Sequence, residues 1–197
     1  MITTLMNAFA EMFDLPVLDW IAANLQNPFL DFIMPYITML GDAGIFWIVL
    51  AVLFLIFPRT RKMGLGMAFA LIMGLVVCNM TLKPLVQRIR PYDYQEQVFN
   101  TVIPLLIEKQ HDFSFPSGHT IASFEAATVI LIYNRKLGIP AMILAALIAF
   151  SRLYLYVHYP TDVIASIILG VIFACIAVAL VNLIYKKVPV KKGKFER

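Results

Sequence analysis

Charge is scarce in this 197-residue chain: Asp, Glu, Lys and Arg make up 14% of it, against about 25% in an ordinary soluble domain. That shortage excludes a fully solvated globular surface. Cysteine is scarcer still. Cys78 and Cys175 stand alone inside apolar stretches, so they offer neither a disulfide framework nor a metal-ligand pattern, and both read as small core residues. No Lys or Arg precedes Arg59, so the positive n-region of a cleavable signal peptide is missing and the first apolar segment is expected to stay in the protein. Internal repeats and low-complexity linkers are absent too, which predicts one domain over residues 1–197. Histidine is limited to three residues, His111, His119 and His158.

What is abundant is apolar. Hydrophobic residues make up 61% and the mean hydropathy is +0.82, which places the chain in a membrane. The expected fold class is all-α, a polytopic membrane helical bundle of about six transmembrane helices at roughly 20 residues each. Gly, Pro and charge clusters divide it. Leu15 to Leu40, interrupted by Asn27, Pro28 and Pro35, reads as one kinked span or as an interfacial helix followed by a short insertion. Ile45–Phe57, Gly64–Leu82, Gly118–Tyr133, Ile139–Tyr156 and Asp162–Tyr185 read as five further spans. Lys83 to Phe115 is polar, broken by Pro84, Pro91 and Pro104, and is expected to be a long external connection of functional importance.

The net charge of +4 raises the question of nucleic acid, but its distribution answers it. Lys186, Lys187, Lys191, Lys192 and Lys194 crowd a juxtamembrane tail without base-stacking aromatics, which fits a topology signal beside anionic lipid. Eleven of the sixteen Lys and Arg fall on one side of the predicted bundle, around Arg59–Lys62, Arg135–Lys136 and the tail. Cytoplasmic loops carry such an excess. The expected partner is therefore the bilayer, with the opposite face turned away from the cytoplasm of a cell membrane.

That opposite face collects three polar clusters, at residues 83–91, 116–119 and 151–162. Lys83 and Arg90 are seven residues apart, near two helical turns, and by themselves could be a snorkelling pair. Pro116-Ser117-Gly118-His119 opens a span. A Ser-Gly turn at a helix start presents free N–H groups to an anion, or is an ordinary start capped by Ser117. His119, an ionisable group at a membrane boundary, points more firmly to function. Ser151 and Arg152 end the fifth span and His158 follows. Pro160 suits the first turn of the last helix, which sets Asp162 four residues after His158. From there its carboxylate could accept a hydrogen bond from one imidazole nitrogen and leave the other free to attack. Glu125, six residues past His119, is an acid inside a span that faces either a site cation or a neighbouring helix.

Read in order, Lys83-x6-Arg90-Pro91, Pro116-Ser117-Gly118-His119 and Ser151-Arg152-x5-His158-x3-Asp162 resemble the complete tripartite signature of the type 2 phosphatidic acid phosphatase superfamily, which also includes vanadium haloperoxidases. The resemblance implies hydrolysis of a phosphate ester or anhydride through a phosphohistidine, without metal or other cofactor. It implies His158 as nucleophile, Asp162 as its orienting partner and His119 as general acid. Lys83, Arg90, Ser117, Gly118 and Arg152 would hold the phosphoryl oxygens. The implied substrate is a phosphorylated membrane lipid: phosphatidylglycerophosphate, phosphatidic acid or undecaprenyl diphosphate. Several undecaprenyl diphosphatases of the family carry Asp where this chain has Gly118. Two other readings compete: a non-catalytic lipid-phosphate binding or transport protein, and a haloperoxidase using vanadate.

Overall fold

The computed structural model describes residue 6 and residues 8–187. All regular structure among them is helical. A π-helical turn, Ala10–Asp14, leads into α1 (Leu15–Leu25). Gln26 and Asn27 are extended, and the Asn27 side chain caps α2 (Pro28–Met39) by accepting from Phe29 N at 3.1 Å and Leu30 N at 3.0 Å. The first apolar block is thus two helices with a break at Asn27. A 3-10 turn, Asp42–Gly44, has positive φ at Ala43 and Gly44 and opens α3 (Ile45–Ile56).

After the Pro58 loop, α4 (Arg61–Gly74) continues through a π-helical stretch, Leu75–Leu82, into the single turn α5 (Lys83–Val86). The expected external connection holds α5 and a further short helix, α6 (Pro91–Phe99). Then come α7 (Gly118–Tyr133), α8 (Arg135–Tyr154) and α9 (Pro160–Lys187).

The bundle is all-α, and its candidate spans are fewer than its helices. By length and composition, the helical stretch Arg61–Phe99, α8 and α9 can each cross a membrane. A fourth crossing needs α2 and the Asp42–Ile56 segment together, bent by 42°. With 12 residues, α3 is about 18 Å long, short of a ~30 Å hydrocarbon core. The 16 residues of α7 reach about 24 Å.

α7 is the central helix. Ala126, Ala127, Val129 and Ile130 are all buried, packed among α4, α8 and α9. Small residues let the backbones close in: a Cβ on Gly170 would stand 3.1 Å from Phe124 Cβ and 3.2 Å from the Ile121 carbonyl. Outward, Ile143, Leu147, Ile168, Ile172 and Leu180 are exposed, as befits faces whose solvent is lipid. Cys175 joins that outer surface on α9, which corrects the expectation of two core cysteines; only Cys78 is buried.

The two ends of the bundle differ. At one, Lys62 Nζ lies 4.7 Å over the Tyr185 ring, which brings the start of α4 to the end of α9. Lys191, Lys192, Lys194 and Arg197 lie outside the described residues. At the other end, α1 packs Leu15, Leu18 and Ile21 against Tyr92, Tyr94, Tyr156 and Tyr159. Carboxylates fasten this layer: Tyr156 donates to Asp19 at 2.7 Å, Tyr154 to Asp31 at 2.6 Å and Tyr94 to Glu11 at 2.5 Å.

Candidate active site

Lys83 and Arg90 do not share a helix. Gln87 takes a left-handed conformation (φ 51°) that ends α5, and Arg90 is the extended residue before Pro91. Their meeting point is Asp112, whose carboxylate pairs with both Lys83 and Arg90. Burial opposes ionisation of Asp112, but the hydrogen bonds and charges of those two cations outweigh it and hold the carboxyl below its usual range. Arg90 is buried, which sets aside the snorkelling alternative for it. Its Nε donates to the Asp112 carbonyl at 2.9 Å and its Nη1 to the Val157 carbonyl at 2.7 Å, and Nη1 also stands 3.3 Å from His158 Nε2.

Ser117 occupies the N-cap position of α7 without making a side-chain cap bond. Its N–H donates to Ser166 Oγ at 2.8 Å and its Oγ accepts from Thr120 at 3.0 Å. Fully buried, it stands behind the cavity wall that Gly118 and His119 form. The expectation of Ser117 as a phosphate ligand thus meets a hydroxyl already engaged inside the protein. His119 Nε2 lies 2.7 Å from Asp42 Oδ1, so the turn before α3 supplies a carboxylate to this imidazole.

Arg152, in the last turn of α8, donates from Nη1 to Thr38 Oγ1 at 2.6 Å, while its Nε and Nη2 have no partner. Ser151 turns away, donating to the Ile148 carbonyl at 2.6 Å. His158 Nδ1 is 3.5 Å from Asp162 Oδ2 and makes no hydrogen bond there, longer than the expected imidazole–carboxylate bond. The Asp162 carboxylate is held from elsewhere. Oδ2 accepts from Tyr159 N at 3.1 Å, and Oδ1 from Arg88 Nη1 at 2.5 Å.

Arg88 lies between Lys83 and Arg90 in the sequence, outside the signature positions. It is 2% exposed, stacks 3.7 Å over the Tyr159 ring and donates from Nη2 to Asp14 Oδ2 at 2.7 Å. Asp14 in turn accepts from Thr161 N at 2.9 Å and from its hydroxyl at 2.7 Å. The signals available for these two were an Arg two residues before Arg90 and an acid at the edge of the first apolar block.

These groups surround one cavity of about 460 Å³. Its polar end is lined by Lys83, Arg90, Arg152, Asp112, Gly118, His119 and His158, and it continues into an apolar arm along Ile48, Val52, Leu55 and Ile72. Three cations face a single carboxylate there, a balance that suits a bound anion. Burial first, then the charges of Arg90, Arg152 and Lys83, hold the His158 imidazole neutral, well below its ordinary range. A neutral ring next to a tetrahedral-anion pocket has a lone pair available for attack. Among the described residues, no group of three or more His, Cys, Asp or Glu could hold a metal ion.

A PAP2 superfamily profile matches residues 63–186. The chain belongs to the PAP2 superfamily. An undecaprenyl-diphosphatase of Sulfolobus acidocaldarius is 36% identical over 125 residues, covering 63% of this chain and 58% of that protein. Undecaprenyl-diphosphatase BcrC of Bacillus subtilis is 34% identical over 147 residues, covering 75% and 72%. In fold, the chain resembles the crystal structure of Aquifex aeolicus LpxE with a TM-score of 0.72 and 25% identity, over 84% of this chain and 94% of that one. The chain therefore spans less than two thirds of the archaeal relative's length.

Proposed function

We propose that this chain is a membrane lipid phosphatase that cleaves a phosphate ester or diphosphate through a phosphohistidine on His158. The carrying observation is the convergence of His158, His119, Lys83, Arg90 and Arg152 on one cavity that runs from a cationic end into an apolar arm. In this reading the phosphoryl group displaces Asp112 as the anion between Lys83 and Arg90, and the free nitrogens of Arg152 and the start of α7 at Gly118 complete its cradle. Preorganised donors of this kind are usually the largest catalytic contribution as charge develops on the phosphoryl oxygens.

His158 Nε2 forms the bond to phosphorus while the bond to the leaving oxygen breaks, and His119 gives that oxygen its proton. Asp42, 2.7 Å from His119 Nε2, orients the imidazole for that transfer. Water then attacks the phosphohistidine, His119 takes its proton, and phosphate leaves. Lys83, Arg90 and Arg152 supply the positive charge at this site, and the reading needs no metal. The site opens to the extracytoplasmic side of a cell membrane, as the eleven-to-five division of basic residues suggests.

Purified protein should release phosphate from a panel of lipid monophosphates and diphosphates with EDTA present, and orthovanadate should block it. Loss of all activity in EDTA with recovery in magnesium would remove this mechanism. Lipid binding without turnover would favour the transport reading, and halide oxidation by the vanadate-loaded protein the haloperoxidase one.

A further inference from the structure

Glu125 is a fully buried carboxyl that the proposed reaction does not use. Neither oxygen has a hydrogen-bond partner among the described residues. On the same helix, Ser123 accepts from Trp47 Nε1 at 3.0 Å and Thr120 donates to Ser117, whereas the Thr128 hydroxyl also lacks a partner. Glu125 instead lies against the backbone of Gly74 on α4, where a Cβ would collide with both carboxyl oxygens. Gly74 and Glu125 both line the cavity that the cations and the apolar arm share. A buried polar group left without a partner is costly, and an ionisable one inside a membrane marks a functional position.

Depth narrows what Glu125 could meet. It lies six residues beyond His119, about 9 Å further along α7. That is past the residues that would hold the reacting phosphate. In an acylated lipid this level holds the polar linkage, an ester, amide or hydroxyl, that joins the phosphate-bearing backbone to its chains. A carboxyl suits such groups because it can donate to a carbonyl or accept from a hydroxyl or N–H. A polyprenyl diphosphate carries its inner phosphate through one bridging oxygen, directly beside the reacting phosphorus and the cations, and at the level of Glu125 it offers only hydrocarbon, which would leave Glu125 unpaired.

We infer that Glu125 is the recognition point of a subsite for the polar linkage of an acylated lipid phosphate, and that it sets such lipids apart from polyprenyl substrates. The inference rests on the lipid-phosphatase reading and adds the substrate class. It runs against the names of the two undecaprenyl-diphosphatase relatives, which makes the outcome informative.

The test compares wild type, Glu125→Gln, Glu125→Leu and Gly74→Ala in detergent micelles on three substrates: diacylglycerol phosphate, a polyprenyl diphosphate, and a water-soluble aryl phosphate that has no lipid backbone. Glu125→Leu should raise KM for diacylglycerol phosphate by about tenfold, the loss of one hydrogen bond, with kcat little changed. The polyprenyl and aryl substrates should keep kcat/KM. Glu125→Gln, which preserves donor and acceptor, should stay near wild type on all three. Gly74→Ala, which displaces the carboxyl without removing it, should follow Glu125→Leu. Equal losses on all three substrates would mean a merely structural role and overturn the inference, as would no loss on diacylglycerol phosphate. Wild type active on the aryl phosphate but on neither lipid would remove the lipid-phosphatase reading itself.

Discussion

Asp14 and Asp162, at opposite ends of the chain, are held by one guanidinium: Arg88 donates to Asp162 at 2.5 Å and to Asp14 at 2.7 Å. All three are buried. Two carboxylates at this depth would repel without a cation between them, and Asp162 stands directly behind His158. The N-terminal segment, which lies outside the matched region 63–186, is thereby tied to the site.

Removing the guanidinium should be severe. Arg88→Ala leaves two buried carboxylates uncompensated, and breaking a buried pair costs about 3–5 kcal/mol. A lowered melting temperature and loss of turnover are expected together. Asp14→Asn keeps a hydrogen-bond acceptor for Arg88 and Thr161 and should lose less of both. Thermal unfolding in detergent alongside phosphate release checks this; an Arg88→Ala protein as stable and active as wild type would remove the bridge from the site.

The parts of this arrangement that could be read in the sequence are those where polar residues break an apolar run. His119, Arg152, His158 and Asp162 stand out because charge is so scarce around them, and Pro160 marks the start of α9. Arg88, Asp14, Asp42 and Asp112 were not legible as site residues. Their partners lie 22 to 147 residues away, and no local periodicity reports a contact of that kind. Lys83 and Arg90 illustrate the reverse error. Their spacing suits one helical face, yet Gln87 adopts a left-handed conformation that ends the helix. Hydropathy marks the apolar spans but not their breaks, such as the 42° bend between α2 and the Asp42–Ile56 segment.

His158 should remain neutral where an ordinary imidazole, with a pKa of about 6.5, has become charged. Burial and then Arg90, Arg152 and Lys83 depress it. Its neutral form is therefore present above the depressed value and is lost only as pH falls through it. Ring nitrogen shifts of isotope-labelled histidine, assigned by comparison with His158→Gln, should show this residue neutral at pH 5.5. A midpoint near the ordinary value would mean that the cations do not act on His158.

Sidedness can be read by chemical labelling. On a background of Cys78→Ala and Cys175→Ala, Glu108→Cys places a thiol in the connection before α7, and Arg135→Cys places one at the α7–α8 turn; both positions are exposed. In intact cells an impermeant thiol reagent should modify the first and spare the second. Labelling in the reverse pattern would turn the site toward the cytoplasm.

The two histidines should separate by leaving group. A nucleophile is needed whatever departs, so His158→Ala should abolish turnover of both a lipid monophosphate and an aryl phosphate and leave no covalent phosphoenzyme. A general acid contributes about 10²–10⁴-fold, but mainly when the leaving oxygen is a poor one such as a lipid alkoxide. His119→Ala should therefore lose far more on the lipid than on the aryl phosphate. Asp42→Asn should show the same asymmetry in weaker form, because Asp42 acts only through the 2.7 Å contact with His119. Asp162→Asn should be impaired on both substrates, since it stands behind the nucleophile. Equal losses for the two histidine variants across both leaving groups, or phosphate trapped on His158→Ala, would reverse or remove the assigned roles.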